Sequence, residues 1–376
     1  MRHDVRIALI TGYLGAGKTT LLNHILANDR GIRAAVIVND IGEVNIDAEL
    51  IAQGGIVCPD DNSLIPLTNG CICCSLKEDL AAQLRDIART GRFDYIVIEA
   101  SGVCEPIPIA HTITAICEET TERDLPMRLD NIIAVVDGAR MFDEFEGGRS
   151  LTADTDEEDI EHLLIEQIEF CNTLLLNKAD LLTPGQLEAL EAIIRSLQRS
   201  AVVLPTIQCS APLEKLLYTG QFDLERSLAS AAWLSAAHEH DVHEHGDNAH
   251  LEEFGLSSFI YERRQPFTRS KIEDLAANWP RAVIRCKGMI WYQEEPGMSY
   301  IFEQAGRQIR EKQSGPFLAA ASKEQQRMIL ERFPAVRDHW DPVYGDRRIR
   351  LVLIGKDMDQ ASVESRLDAC LGEAWS

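Results

Sequence analysis

Gly12-Tyr13-Leu14-Gly15-Ala16-Gly17-Lys18-Thr19 fits the pattern G-x-x-x-x-G-K-[ST], with an apolar run at 5–10 before it and a helical pattern after it. Glycines at these positions let backbone N–H groups close around phosphate oxygens. The lysine then reaches the β and γ oxygens, and the Thr19 hydroxyl binds Mg²⁺. The helix opening near Thr19 adds the positive end of its dipole. Gly12, Gly15, Ala16, Gly17, Lys18, Thr19 and Thr20 are therefore the expected phosphate cradle. By residue frequencies the bare pattern arises in on the order of one chain in a hundred, so the strand before it and the helix after it carry the assignment.

Outward from this loop, β-rich runs at 34–38, 95–98, 132–136, 173–176 and 202–207 alternate with helical periodicity. Leu76, Leu80, Leu84 and Ile87 show that periodicity, as do Leu187, Leu190, Ile193 and Ile194. Alternating βα units predict an α/β fold, a doubly wound and mostly parallel P-loop sheet over residues 1–230. The stretch from His238 to His250 breaks the pattern with five of the chain's ten histidines among carboxylates, and residues 231–255 read as an exposed linker. A second, smaller α+β domain is expected over 256–376. Its strands fall near 257–263, 282–291, 300–304 and 349–354, and its helices at 270–278, 323–332 and 360–371. The strand order of this domain is not readable from sequence.

At 376 residues the chain is long enough for two domains, and 45% hydrophobic with 26% charged residues is ordinary for a globular protein. A net charge of −23 argues against nucleic acid as a partner, which needs clustered Lys and Arg, and suits a protein that attracts cations. No signal-peptide layout and no apolar run of membrane-spanning length occurs, so a cytoplasmic location without membrane contact is expected. The ten cysteines then read as thiols rather than disulfides.

Two further positions complete the nucleotide reading. Glu99 ends the run 95–98, where a carboxylate partner for the magnesium belongs, and Lys18 and Glu99 are the candidate catalytic pair. Asp137, after the run 132–136, is a second candidate or a turn residue. Gly102 in Glu99-Ala100-Ser101-Gly102 is placed to offer its N–H to a γ-phosphate, and a switch loop there would sense it. Asn177-Lys178-Ala179-Asp180 follows a strand, and an Asp there accepts from guanine N1–H and the exocyclic amine together. Adenine offers neither donor, and a carboxylate buried against it would be left unpaired, so GTP is the expected nucleotide. Ser210-Ala211 is placed to supply a backbone N–H to guanine O6.

Cys71-Ile72-Cys73-Cys74 precedes Ser75-Leu76-Lys77-Glu78, an S-x-x-E capping box. Thiols just before a helix N-terminus have lowered pKa values, and three at this spacing converge on one soft cation. Zn²⁺ takes four ligands; Glu43 is the first choice for the fourth, with water, Cys58 or a partner protein as competitors. Inert packing and a redox role are the alternatives for the three cysteines. The histidine stretch reads equally as a weak metal trap or a solvated linker.

Taken together, these residues resemble the CobW family of metal-handling P-loop GTPases. The resemblance rests on residues 12–20, Asn39-Asp40-Ile41-Gly42-Glu43, the Cys71-Ile72-Cys73-Cys74 motif, residues 99–102 and 177–180, and the C-terminal run 353–359. It implies GTP hydrolysis coupled to delivery of a transition metal to a client metalloprotein. It also implies metal held by Cys71, Cys73 and Cys74, and Glu99-Ala-Ser-Gly in place of the usual switch Asp-x-x-Gly. Zinc leads as cargo, with cobalt, iron and nickel as alternatives. A nucleotide-gated metal buffer or sensor and a P-loop ATPase or kinase are the rival readings. Client and oligomeric state are not legible.

Overall fold

The computed structural model describes residues 4–27, 30–38, 64–66, 77–102, 104–122, 126–146, 160–223, 254–306, 308–338 and 340–375. The chain divides into two compact units, Met1–Ala231 and Ala232–Ser376.

The first unit is built on a seven-stranded sheet. Its strands are β1 (Val5–Thr11), β2 (Ala34–Val38), β3 (Leu64–Pro66), β4 (Tyr95–Glu99), β5 (Met127–Asp137), β6 (Thr173–Asn177) and β7 (Val202–Pro205). They lie in the order β3-β2-β4-β1-β5-β6-β7, and every pairing is parallel. The helices are α1 (Lys18–Leu26), α2 (Lys77–Thr90), α3 (Pro106–Glu122), α4 (Gly138–Glu146), α5 (Ile160–Glu169) and α6 (Pro184–Leu197). Crossovers bury both faces of a parallel sheet, which is why β2, β4 and β6 are buried at every residue and read as continuous apolar runs. On one side Leu21, Leu22 and Ile25 of α1 pack with Ala8, Ile10, Val36 and Val97. The apolar repeat Leu80, Leu84 and Ile87 of α2 is buried as its spacing requires. The α6 start is fixed by a capping box in which Thr183 and Gln186 bond reciprocally.

Two departures from the expected elements have clear causes. Strand β5 begins at Met127, five residues before the apolar run, because a polar Asp130-Asn131 lies inside it. Asp130 is only 1% exposed, and its carboxylate accepts from Arg6 Nη1 at 2.8 Å, the Tyr95 hydroxyl at 2.8 Å and the Gly220 N–H at 3.0 Å. Strand β3 is a three-residue edge strand, too short to leave a pattern.

The second unit carries a five-stranded sheet of β8 (Leu256–Arg263), β9 (Val283–Ile290), β10 (Met298–Ala305), β11 (Gln308–Pro316) and β12 (Ile349–Lys356), in the order β11-β10-β9-β12-β8. All of its pairings are antiparallel. Helices α7 (Arg269–Ala277), α8 (Lys323–Arg332), α9 (Pro334–Asp338) and α10 (Gln360–Asp368) complete it. Ile272 and Leu275 of α7 and Val363 and Leu367 of α10 share a core with Tyr261, Trp291 and Leu353. The unexpected strand here is β11, whose Arg310, Glu311 and Lys312 are exposed on the edge of the sheet. Charges suit such an edge by discouraging further pairing, and they also erase the apolar alternation. Among the described residues no helix is long and apolar enough to cross a membrane.

Candidate functional site

The site lies at the carboxyl ends of β1, β4 and β6. Strand β1 sits between β4 and β5, where successive crossovers leave in opposite directions along the sheet. The chain leaves β1 through Gly12, turns, and enters α1 at Lys18. Gly17 stands at the N-terminus of α1 with φ +116°. A Cβ there would come within 2.6 Å of Asn177 Nδ2 and 2.9 Å of Cys209 Sγ, so the loop has both its conformation and its close neighbours only with glycine. Lys18 is nearly buried, its Nζ donating to the Gly12 carbonyl at 2.9 Å and standing 4.0 Å from Glu99 Oε1. Glu99 is 2% exposed at the end of β4. Gly102 approaches the loop from the other side: a Cβ on it would stand 2.9 Å from the Leu14 backbone nitrogen. The structure thus brings Lys18, Glu99 and Gly102 to one place.

Asn177, which the pattern places at the guanine site, links the phosphate loop to a distant segment. It is 3% exposed; its Nδ2 donates to the Ala16 carbonyl at 2.8 Å. Its Oδ1 accepts from the Cys209 N–H at 2.9 Å and the Thr206 hydroxyl at 3.3 Å. One side chain therefore ties the phosphate loop to the segment after β7. Gln208 and Cys209 in that segment both adopt left-handed backbone, φ 51° and 54°. Cys209 also donates from Sγ to the Gly17 carbonyl at 3.3 Å, and burial pushes its thiol up to about 12. Removing Asn177 should unlatch all three elements. Asn177→Ala is expected to lower stability by roughly 2–3 kcal/mol, the cost of leaving buried partners unpaired, and to weaken nucleotide binding with it. Thermal unfolding with and without GTP checks this; a loss below about 0.5 kcal/mol would show that the latch is unimportant.

Lys178 also holds a left-handed conformation, φ 60°, and its Nζ lies 2.5 Å from Asp137 Oδ2. Asp137 further accepts from the Arg140 N–H at 3.2 Å. The second candidate for a magnesium partner is thus engaged with the base-side loop. Asp180 stands on a one-turn 3₁₀ helix, Ala179–Leu181, and is exposed rather than buried. The exposed Leu181 (63%) adjoins it in the chain, and the exposed Ile207 (55%) follows Thr206, whose carbonyl accepts from the Ala179 N–H at 3.0 Å. Ser210 is exposed and Ala211 buried; the Ala211 carbonyl is 2.9 Å from His24 Nε2 of α1. Thr19 is half-buried and Thr20 exposed. Glu43, Cys58, Cys71, Cys73, Cys74 and the capping box at Ser75 lie outside the described residues, as does the histidine stretch. The other six cysteines, Cys104, Cys117, Cys171, Cys209, Cys286 and Cys370, are buried free thiols. Burial also raises Cys117 and Cys171 to about 12, which makes them poor ligands or nucleophiles.

Residues 6–205 match the family described as CobW/HypB/UreG, nucleotide-binding domain. Residues 256–371 match the cobalamin synthesis protein cobW C-terminal domain. The chain is 34% identical to the zinc-regulated GTPase metalloprotein activator 1 of Dictyostelium discoideum, over 97% of this chain and 79% of the relative. It is 28% identical to the zinc chaperone CobW of Pseudomonas aeruginosa, over 97% of this chain and 91% of that one. The structure of Zn(II)-bound YjiA GTPase from E. coli aligns with 98% of this chain and 99% of its own at 22% identity and a TM-score of 0.43.

Proposed function

Because the chain belongs to the CobW/HypB/UreG family, we propose that it is a GTP-hydrolysing metallochaperone that binds a transition metal at Cys71, Cys73 and Cys74 and passes it to a client protein. The observation that carries the nucleotide half is the convergence of Lys18, Glu99, Gly102 and Asn177 around one phosphate loop. The relatives' names, zinc-regulated GTPase and zinc chaperone, support GTP as the nucleotide and zinc as the cargo. Cobalt, iron and nickel are the alternatives that thiolate and carboxylate ligands would also accept.

Lys18 exchanges its Gly12 carbonyl partner for β- and γ-phosphate oxygens when nucleotide enters. The Gly102 N–H meets the γ-phosphate, so the loop after Glu99 senses its presence. Asp180 reads guanine, with the Ser210-Ala211 backbone beside it. The donors near the γ-phosphate side, the Thr19 hydroxyl and the Glu99 carboxylate, are hard oxygens of the kind magnesium takes. Bound there, Mg²⁺ neutralises charge developing on the phosphate oxygens. No arginine is assigned to the transition state, so turnover by the chain alone is expected to be slow.

GTP binding orders the loops around Glu43 and Glu99 and tightens the cysteine site. Hydrolysis or client contact loosens it, and the thiolates hand the metal on. Linkage makes this testable: a non-hydrolysable GTP analogue must raise zinc affinity by the same factor by which zinc raises affinity for the analogue. Competition titrations against a zinc chelator, with and without the analogue, should show equal factors of about 5–150 in the intact chain and none in Cys73→Ser. Independent binding of zinc and nucleotide would refute the coupling.

A further inference from the structure

His162 and Glu166 lie four residues apart on one face of α5. The segment leading from Gly102 into α3 brings Glu105 to the same point, and one ligand atom from each of the three lies within 4.8 Å of the others. His162 is 1% exposed and Glu166 7%. Among the described residues neither ring nitrogen of His162 has a hydrogen-bond partner, and nor does Glu166 Oε2. His162 Nε2 stands at ion-pair distance, 3.3 Å, from Glu166 Oε1. An imidazole and a carboxylate buried this way are costly unless something satisfies them.

We propose that Glu105, His162 and Glu166 hold a divalent first-row transition metal ion, with ligands other than those of the cysteine motif. One imidazole nitrogen and two carboxylates form a borderline donor set that suits Zn²⁺, Co²⁺ or Fe²⁺. Ca²⁺ requires six to eight oxygen ligands, more than this set provides. The position gives the ion its role. Glu105 belongs to the loop that follows Glu99, and Gln167, the residue after Glu166, lies with Nε2 3.5 Å from the Gly102 carbonyl. A metal here cross-links that loop to α5 within the first unit, and so restrains the segment that carries Gly102. It acts as a structural or regulatory ion, whether or not the cysteine motif carries cargo.

The test uses the full chain with Cys71, Cys73 and Cys74 all replaced by Ser, so that failure of the cysteine site and failure of this one are distinguishable. Hydrogen exchange is followed at residues 101–105 and 160–167 with and without Zn²⁺. At zinc a hundredfold above its dissociation constant, local opening of these amides should fall by about 100-fold. Glu166→Gln, which keeps size and shape, and His162→Leu should each abolish that protection, while exchange in β5 and β6 without metal stays at the parent rate. The proposal is overturned if zinc leaves these segments unprotected in the Cys-free chain, which needs no site variant to observe. It is overturned equally if protection survives both substitutions.

Discussion

Asp180→Asn should abolish the preference for guanine nucleotides. In the proposed site the carboxylate accepts two hydrogen bonds from the guanine edge, and an amide of the same shape would present N–H to one of those donors. A site built to bond a substrate edge discriminates by roughly 10⁴–10⁵, and loss of the GTP:ATP affinity ratio should approach the lower of these. The exposed position of Asp180 makes the substitution structurally mild, so stability should change by no more than about 0.5 kcal/mol. Xanthosine triphosphate is the informative control, because its C2 oxygen accepts from the new amide where guanine's amine repelled it. Competition binding with GTP, ATP and XTP on both proteins decides the matter. Retained guanine selectivity, or no gain for XTP, would mean that another group reads the base.

Lys18→Ala should be comparably severe on hydrolysis. The ammonium is the one side-chain cation that the phosphate loop itself presents, and it is already aimed into the loop by the Gly12 carbonyl and by Glu99 4.0 Å away. Removing a preorganised donor to transition-state charge typically costs about 10²–10³ in kcat. Single-turnover hydrolysis at saturating GTP measures that loss apart from any change in affinity. A decrease of less than about tenfold would move the electrostatic burden from Lys18 to other groups.

These two substitutions sit in motifs that could be read directly, because each motif is a local arrangement of backbone and side chain. The phosphate loop needs its glycines and lysine at adjacent positions on one turn, so the chemistry is written contiguously. The same holds for the strands of the first unit: burial on both faces makes each central strand an apolar run, and the α/β alternation followed from them. Legibility failed where polar residues do structural work. Asp130 inside β5 resembles a turn signal until Arg6, Tyr95 and Gly220 are seen to satisfy it. The charged strand β11 is stabilised by its pairing with β10 rather than by a face of its own.

From the amino-acid order alone came the fold class, the phosphate loop, Asp180 as the candidate reader of the base, and the cysteine motif. Each is a property of a few consecutive residues and of the strand or helix they flank. The tertiary structure decided the roles that depend on distant partners. Asn177 became the latch between Ala16 and Cys209, 161 and 32 residues away in sequence. Asp137 became the partner of Lys178, and Asp180 proved exposed. His162 and Glu166 could be placed on one helix face from their spacing, but Glu105 joins them only when the loop after β4 returns to α5. Spacing along a chain fixes neighbours within an element, and only packing between elements brings together side chains that sequence keeps apart.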